Sequence, residues 1–310
     1  MTIRIVQFRE DHLGDAADLV CLRYKLMRGV APLLPFKYEN PDTILSMLAD
    51  LLREHPGVVA LHGDRLIGFT AGMELDDFLG KRSVFSPEWA NAASQEDSRR
   101  IYEEMYAKIS AQWVATGCHN HLVSLLADDR LAIEGWHWLG FGLAAVDSLR
   151  GLEAVQQTGD EVRIRRAGID DFEAAEAFQE ALGRHMISPP IFWPHEKKDV
   201  RPWLEKPELA LWLAYHGSQA VGFMQIGPAN QDACTIIQDE GTASILGAYT
   251  HQEARCNGVA TALLNRALAW AREQGYVRCA VDFEPMNVLA TRFWNRHFEP
   301  VGYTLMRSIP

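Results

Sequence analysis

The chain is written twice. The stretch GVVALHGDRLIGF at 57–69 reappears as LWLAYHGSQAVGF at 211–223, with His62-Gly63 falling on His216-Gly217 and Gly68-Phe69 on Gly222-Phe223. Each copy reads as an apolar strand, a tight turn at His-Gly-polar and a second strand, which predicts a β-hairpin. Two more blocks repeat in the same order and at nearly the same spacing. RIVQFREDHLGDAADL (4–19) is similar to RIRRAGIDDFEAAEAF (163–178), an alternating strand followed by a helix with acids in its first turn, where they suit the positive end of the helix dipole. GCHNHLVSLLADDRLAIEGW (117–136) aligns with GYVRCAVDFEPMNVLATRFW (275–294), so that Asp129 falls on Asn287, Ala132 on Ala290 and Trp136 on Trp294. The period is far too long for a solenoid. The pattern predicts a duplicated domain.

The boundary falls in the polar stretch RGLEAVQQTGDE at 150–161, which lacks periodic apolar residues. It gives a first domain over 1–150, a linker over 151–160 and a second domain over 161–310. Within each half the predicted order is strand, helix, short helix, hairpin, strand, long helix, strand, helix, strand. Such an order predicts an α/β fold (α+β in its mixed sheet), each half a mixed, largely antiparallel twisted sheet flanked by helices. The short helix is clear in the first half (NPDTILSMLADLLRE); its counterpart, SPPIFWPHEKKDVRPWLEKP at 188–207, is irregular.

Composition narrows the partners. With 30 basic and 41 acidic residues the net charge is −11, which repels phosphate backbones and anionic membranes and favours cationic small molecules. No nucleic-acid or membrane partner is expected. Five cysteines, none in a C-x-x-C pair, suit a reducing compartment rather than a disulfide framework. The N-terminus lacks the pattern of a signal peptide, and a cytoplasmic protein is expected. His119 and His121 of CHNH sit two apart, but no Cys/His cluster completes a metal site, and no metal is expected.

The most informative stretch is HQEARCNGVATALLNRALAWAREQG, 251–275. The strand ASILGAYT (243–250) precedes it, and an amphipathic helix starts near Val259 and stops at Gly275. A strand–turn–helix junction leaves backbone N–H groups free at the helix start. Gly258 lets the backbone approach a ligand and Arg255 adds a cationic arm, which together describe an anion site suited to a pyrophosphate.

On these residues the second half resembles an N-acetyltransferase of the GNAT superfamily. RCNGVA fits that family's Q/R-x-x-G-x-G/A acetyl-CoA turn, with Gln252 upstream, and VDFEPMNVLATRFW resembles its following strand and N-x-x-A helix. The resemblance runs from about residue 161 to the C-terminus and more weakly over 1–150, and so describes a tandem, two-domain GNAT protein. It implies a sheet split between the strands 243–250 and 278–284, with acetyl-CoA in the gap as co-substrate. Ala248, Tyr249 and Thr250 would then meet the pantetheine and thioester. Arg255, Cys256, Asn257, Gly258, Val259, Ala260 and Thr261 would cradle the pyrophosphate, and Asn287 would bond the cofactor. The implied activity is direct acyl transfer to a small-molecule amine; the competing class is a non-catalytic acetyl-CoA sensor or interaction module.

Two departures bear on mechanism. The first half has no R-x-x-G-x-A before its long helix, and Gln95–Asp97 place acids there, so it is expected to be a degenerate domain without a phosphate turn, in a monomeric pseudo-dimer or a homodimer. In the second half Trp294 stands where many members carry a tyrosine that protonates the leaving thiolate, and an indole cannot do so. Tyr303 and Tyr249 are the substitutes. For the general base the candidates are Glu240, Asp282 and Glu284, and a relay through ordered water would need none of them.

Overall fold

The computed structural model describes residues 2–157, 162–194 and 198–310; four residues of the 150–161 boundary stretch, and His195 and Glu196 of the irregular segment, lie outside them. The chain forms two compact units. One comprises Met1–Asp147, Cys234–Ile236 and Pro300–Pro310, the other Ser148–Ala233 and Ile237–Glu299. The last eleven residues therefore depart from the expected 161–310 domain and join the first unit.

In the first unit the order is β1 (Arg4–Gln7), α1 (Leu13–Val30), α2 (Pro41–Glu54), β2 (Gly57–His62), β3 (Arg65–Ala71), β4 (Met73–Phe78), β5 (Lys81–Ser86), β6 (Asn91–Ala93), α3 (Ser98–Ala115), β7 (Asn120–Leu126), α4 (Arg130–Trp138) and β8 (Gly142–Arg150). In the second it is β9 (Arg163–Arg166), α5 (Phe172–Ile187), α6 (Arg201–Glu205), β10 (Ala210–His216), β11 (Gln219–Pro228), β12 (Thr242–Thr250), α7 (Val259–Glu273), β13 (Arg278–Phe283) and α8 (Val288–His297). The final strand, β14 (Glu299–Ser308), follows α8.

The repeat is visible in backbone detail. Hairpins β2–β3 and β10–β11 are antiparallel, close at His62↔Arg65 and His216↔Gln219, and each carries a register shift one residue before the strand's last pairs, at Ala60/Leu61 and Ala214/Tyr215. Both turns hold a left-handed glycine, Gly63 at φ +63° and Gly217 at φ +58°, a conformation that disfavours side chains with a Cβ. Asp129 and Asn287 cap α4 and α8 in the same way, each side-chain oxygen accepting the N–H of the alanine three residues on.

The first unit places β1-β2-β3-β6 in one sheet and β4-β5-β7-β14-β8 in succession in another. β14 pairs antiparallel with β7 from Gly302↔Leu126 to Ser308↔Asn120, and Leu305 enters a core built on Trp113, Trp136, Tyr102, Tyr106 and Phe141. The rings meet edge to face, Trp136 and Phe141 at 4.7 Å and Tyr106 and Trp136 at 5.4 Å between centroids, the arrangement that their quadrupoles favour. The hairpin β4–β5 was not expected from the sequence. It turns through Leu79 at φ +56° and Gly80 at φ +76°, and a leucine is a poor advertisement for a turn of that hand.

A buried ion pair ties α1 to the start of α4: Arg23 Nη2 lies 2.8 Å from Asp129 Oδ2, with side chains 6% and 12% exposed. Removing one partner of such a pair leaves a charge stranded. Asp129→Ala is therefore expected to lower stability by roughly 3–5 kcal/mol, with loss of the α4 cap included. Arg23→Met combined with Asp129→Asn should recover much of that loss. Urea unfolding of the two variants checks both statements, and equal midpoints would refute them.

The second unit orders its strands β13-β12-β11-β10-β9. α5 covers one face through Phe178 and Leu182, packed with Leu211, Leu213 and Phe223. α7 buries Leu263, Leu264, Ala267, Leu268 and Ala271, the stripe that helical spacing predicts. Among the described residues no helix is long and apolar enough to cross a membrane.

Candidate functional site

β12 is paired along its whole length on one side and only half its length on the other. Its antiparallel ladder with β11 runs from Pro228↔Ala243 to Gly222↔Thr250. Its parallel ladder with β13 runs from Thr242↔Arg278 to Ile245↔Val281 and ends there. At the same point the β11 register passes from Ile226↔Ile245 to Gln225↔Gly247, leaving Leu246 as an extra residue. Such a bulge bends a strand and increases its twist, and here it marks where β12 turns away from β13. Thr242–Ile245 are buried, and Leu246–Thr250 are half-buried. The parted edge thus offers backbone N–H and C=O groups that a bound chain could pair with.

The open edge runs directly into the turn. His251, Gln252 and Ala254 form a short 3-10 turn, in which the Ala254 N–H donates to His251 O at 3.0 Å. Cys256 follows at φ +64° and Gly258 at φ +79°. Gly258 is the N-cap of α7 and supplies no side-chain cap. The first bond of α7 runs from the Ala262 N–H to Gly258 O at 2.9 Å. The N–H groups of Val259, Ala260 and Thr261 therefore have no acceptor within the helix. Arg255 lies beside them, its Nε donating to Thr250 O at 3.0 Å and its guanidinium 5.6 Å from the Tyr249 ring centroid. Its other nitrogens make no hydrogen bond among the described residues. Left-handed backbone, free donors and a guanidinium at a helix start make an anion cradle, and these residues fit a pyrophosphate. β11 runs tight beneath: a Cβ on Gly222 would lie 3.0 Å from Tyr249 O and 3.2 Å from Val259 Cγ1.

The structure brings Ala248, Tyr249, Thr250, Arg255, Cys256, Asn257, Gly258, Val259, Ala260 and Thr261 into one continuous strand edge and turn. Asn287 caps α8 with Oδ1, which accepts the Ala290 N–H at 3.3 Å. Glu284 sits between β13 and Asn287, its carbonyl accepting the Asn287 N–H at 3.0 Å; burial pushes its carboxyl up, with the neighbouring Asp282 charge adding to the shift. Asp282 accepts from Asn230 Nδ2 at 3.0 Å.

Two expected catalytic residues are not part of this arrangement. Glu240 is exposed in the turn that leads into β12, at the strand's opposite end from Thr250 and so roughly 30 Å from it at about 3.3 Å per residue. β12 begins at Thr242, after Glu240. Tyr303 lies on β14 opposite Leu125 and belongs to the first unit, because the pairing that holds it is with β7, far away in sequence. Trp294 is buried, 6% exposed, and packs edge-on against Phe293 and Phe298.

One residue near the site gave no sequence signal. His185, in the last turn of α5, places Nε2 3.4 Å from Asn287 Oδ1, and its ring centroid is 6.0 Å from that of Tyr249. A histidine at a helix C-terminus reads as a dipole-favoured surface charge, so the sequence offers nothing to distinguish it. Here it is half-buried, and its pKa is lowered, first by loss of water and also by the Arg255 charge, against the opposing Asn287 bond. In the first unit His121 is buried and satisfied, with Nδ1 2.9 Å from the Tyr106 hydroxyl and Nε2 3.2 Å from Cys118 O; burial lowers its pKa to about 4.

Comparison with known proteins agrees with this geometry. Residues 176–298 match the sequence model of the Acetyltransferase (GNAT) family, a span that includes most of α5, the parted strands, the turn and α8. Streptothricin acetyltransferase A of Bacillus subtilis (strain 168) is 27% identical over 117 residues, covering 37% of this chain and 62% of that protein. The match thus spans less than two thirds of the curated relative. Among solved structures, a GCN5-related N-acetyltransferase from Sphaerobacter thermophilus superposes with a TM-score of 0.59 at 12% identity, over 99% of this chain and 95% of that one. A GCN5-related glucosamine N-acetyltransferase region of a fungal multi-domain β-N-acetylglucosaminidase gives 0.53 at 13% identity, over 98% of this chain and 38% of that one. At such identities these structures speak for the fold. The match of residues 176–298 to the GNAT acetyltransferase model covers the strand gap and the turn and marks the chain as a transferase.

Proposed function

We propose that the second unit binds acetyl-CoA and transfers its acetyl group to the amine of a small molecule. The observation that carries this reading is the parting of β12 from β13 at the Leu246 bulge, beside a helix start with free N–H groups and Arg255. Half of β12 offers a ladder edge of the length a pantetheine arm can use. The turn offers the donors that a pyrophosphate needs. Acetyl-CoA supplies an acyl group activated as a thioester. The chain's part is to hold that group and an amine side by side, which removes most of the entropy of encounter, and to aim backbone donors at the oxygen where charge develops.

The first unit is read as a partner without cofactor. Only Ser94–Asp97 separate β6 from α3, too few residues for a comparable cradle, and two of them are acids. Asn91 of β6 also bonds β7, its Nδ2 donating to Ser124 O at 3.0 Å and to Pro87 O at 2.9 Å. The reading places the protein in the cytoplasm, on its cysteine usage and acidic balance.

Calorimetric titration of acetyl-CoA into the full-length protein is expected to give one site per chain. Release of free thiol with spermidine, lysine, glucosamine or streptothricin then identifies the acceptor class. Absence of binding would end the reading. Saturable binding without thiol release would favour an acetyl-CoA sensor, the alternative that the buried Trp294 supports.

A further inference from the structure

We propose that His185 is the proton acceptor of the transfer, using Nδ1, with Asn287 holding its ring; the inference rests on the acetyl-CoA reading above. The argument begins with the tautomer. Asn287 Oδ1 accepts the Ala290 N–H at 3.3 Å as the cap of α8, while its Nδ2 faces Met186 Sδ at 3.9 Å. An atom that accepts a backbone N–H is the amide oxygen, so the His185 nitrogen 3.4 Å from it carries the hydrogen. That nitrogen is Nε2. Nδ1 is then the lone-pair nitrogen, and no hydrogen bond to it is recorded among the described residues. A histidine whose one nitrogen donates to a fixed oxygen has its other nitrogen held ready as a base.

Position agrees with tautomer. The ring is anchored between α8, through Asn287, and the half-buried end of β12, through Tyr249 at 6.0 Å. This is the stretch of β12 that has parted from β13. Among the described residues, the charged and titratable groups that face His185 are Arg255 from the turn and Tyr249 from β12; His251 lies behind Tyr249, its ring 5.6 Å from that one. Loss of water and the Arg255 charge lower its pKa and so favour the neutral imidazole, the form a base requires.

The step balances without a further reactant. The amine nitrogen's lone pair forms the N–C bond to the acyl carbon, and the C–S bond breaks with its pair going to sulfur. The surplus proton on nitrogen passes to Nδ1 and then to the thiolate, regenerating neutral His185. One group thus serves both proton transfers, which removes the need for a tyrosine where Trp294 stands.

The test combines a spectroscopic and a kinetic readout on the full chain. Long-range 1H–15N NMR of the histidine rings should show the Nε2–H tautomer for His185, with Nδ1 unprotonated at pH 7 and its resonance displaced by acetyl-CoA. Thiol release with whichever of the four amines the wild type uses should fall about 100- to 10,000-fold in His185→Gln, with calorimetric acetyl-CoA affinity within twofold. Imidazole should restore part of the rate in His185→Ala, which a merely structural role would not allow. Asn287→Ala should lower the rate and shift its acidic limb. An Nδ1–H tautomer, or full activity in His185→Gln, overturns the assignment while leaving acetyl-CoA binding intact. A wild type that binds no acetyl-CoA overturns the parent reading instead.

Discussion

Gly258→Glu is expected to abolish saturable acetyl-CoA binding by the full-length protein. Two effects act together. Gly258 sits at φ +79°, where any side chain strains the backbone by about 1–2 kcal/mol. The new carboxylate would stand at the head of α7 among the N–H groups of Val259 to Thr261, where it competes for the donors meant for an anion. Repulsion between two unit charges at 4 Å amounts to about 4 kcal/mol at an effective dielectric of 20. The sum corresponds to a loss of affinity on the order of 1,000-fold or more. Gly258→Ala separates the two effects, since it carries only the strain, and about a tenfold loss is expected there. Calorimetry on both variants decides the matter: wild-type affinity in Gly258→Glu would mean that the cofactor does not use this turn.

A chain ending at Glu299 is expected to lose order in its first unit. β14 supplies that unit with a seven-residue ladder to β7 and two fully buried side chains, Val301 and Leu305. Burial of those two side chains alone is worth about 3–6 kcal/mol, against about 5–15 kcal/mol for the whole stability of an ordinary domain. Truncation also bares the β7 edge. Hydrogen exchange and limited proteolysis should therefore report rapid opening within residues 1–147. Unchanged protection of β7 would show that the first unit does not depend on the strand.

What could be read in advance follows from the range of the forces involved. The two His-Gly hairpins, the start of α7 behind Gly258 and its stop at Gly275, φ +87°, are set by neighbours in sequence. So is the turn between β12 and α7, whose free N–H groups and arginine the proposed anion site would use. The residues that escaped prediction are positioned by distant partners. Tyr303 follows β14 to β7, a pairing nearly 180 residues apart in the sequence. Glu240 precedes β12, which begins at Thr242, and lies in the exposed turn that leads into it. His185 gains its meaning only from Asn287, 102 positions away. The β4–β5 hairpin stayed hidden because Leu79 holds a backbone conformation that glycine or asparagine would have announced.

The membership of Pro300–Pro310 in the first unit also sets an order of events at birth. A ribosome makes residues 1–147 well before Pro300–Pro310, at about 5–20 residues per second. Residues 1–147 emerge without the strand that completes their sheet, and that strand follows only after the second unit has been made. For roughly 10–30 seconds the nascent chain must carry β7 with an unfilled edge while the whole second unit is being made. Translation speed and chaperone occupancy over that interval are therefore expected to govern the yield of this protein, and a circular permutant that opens with residues 300–310 should fold with less assistance.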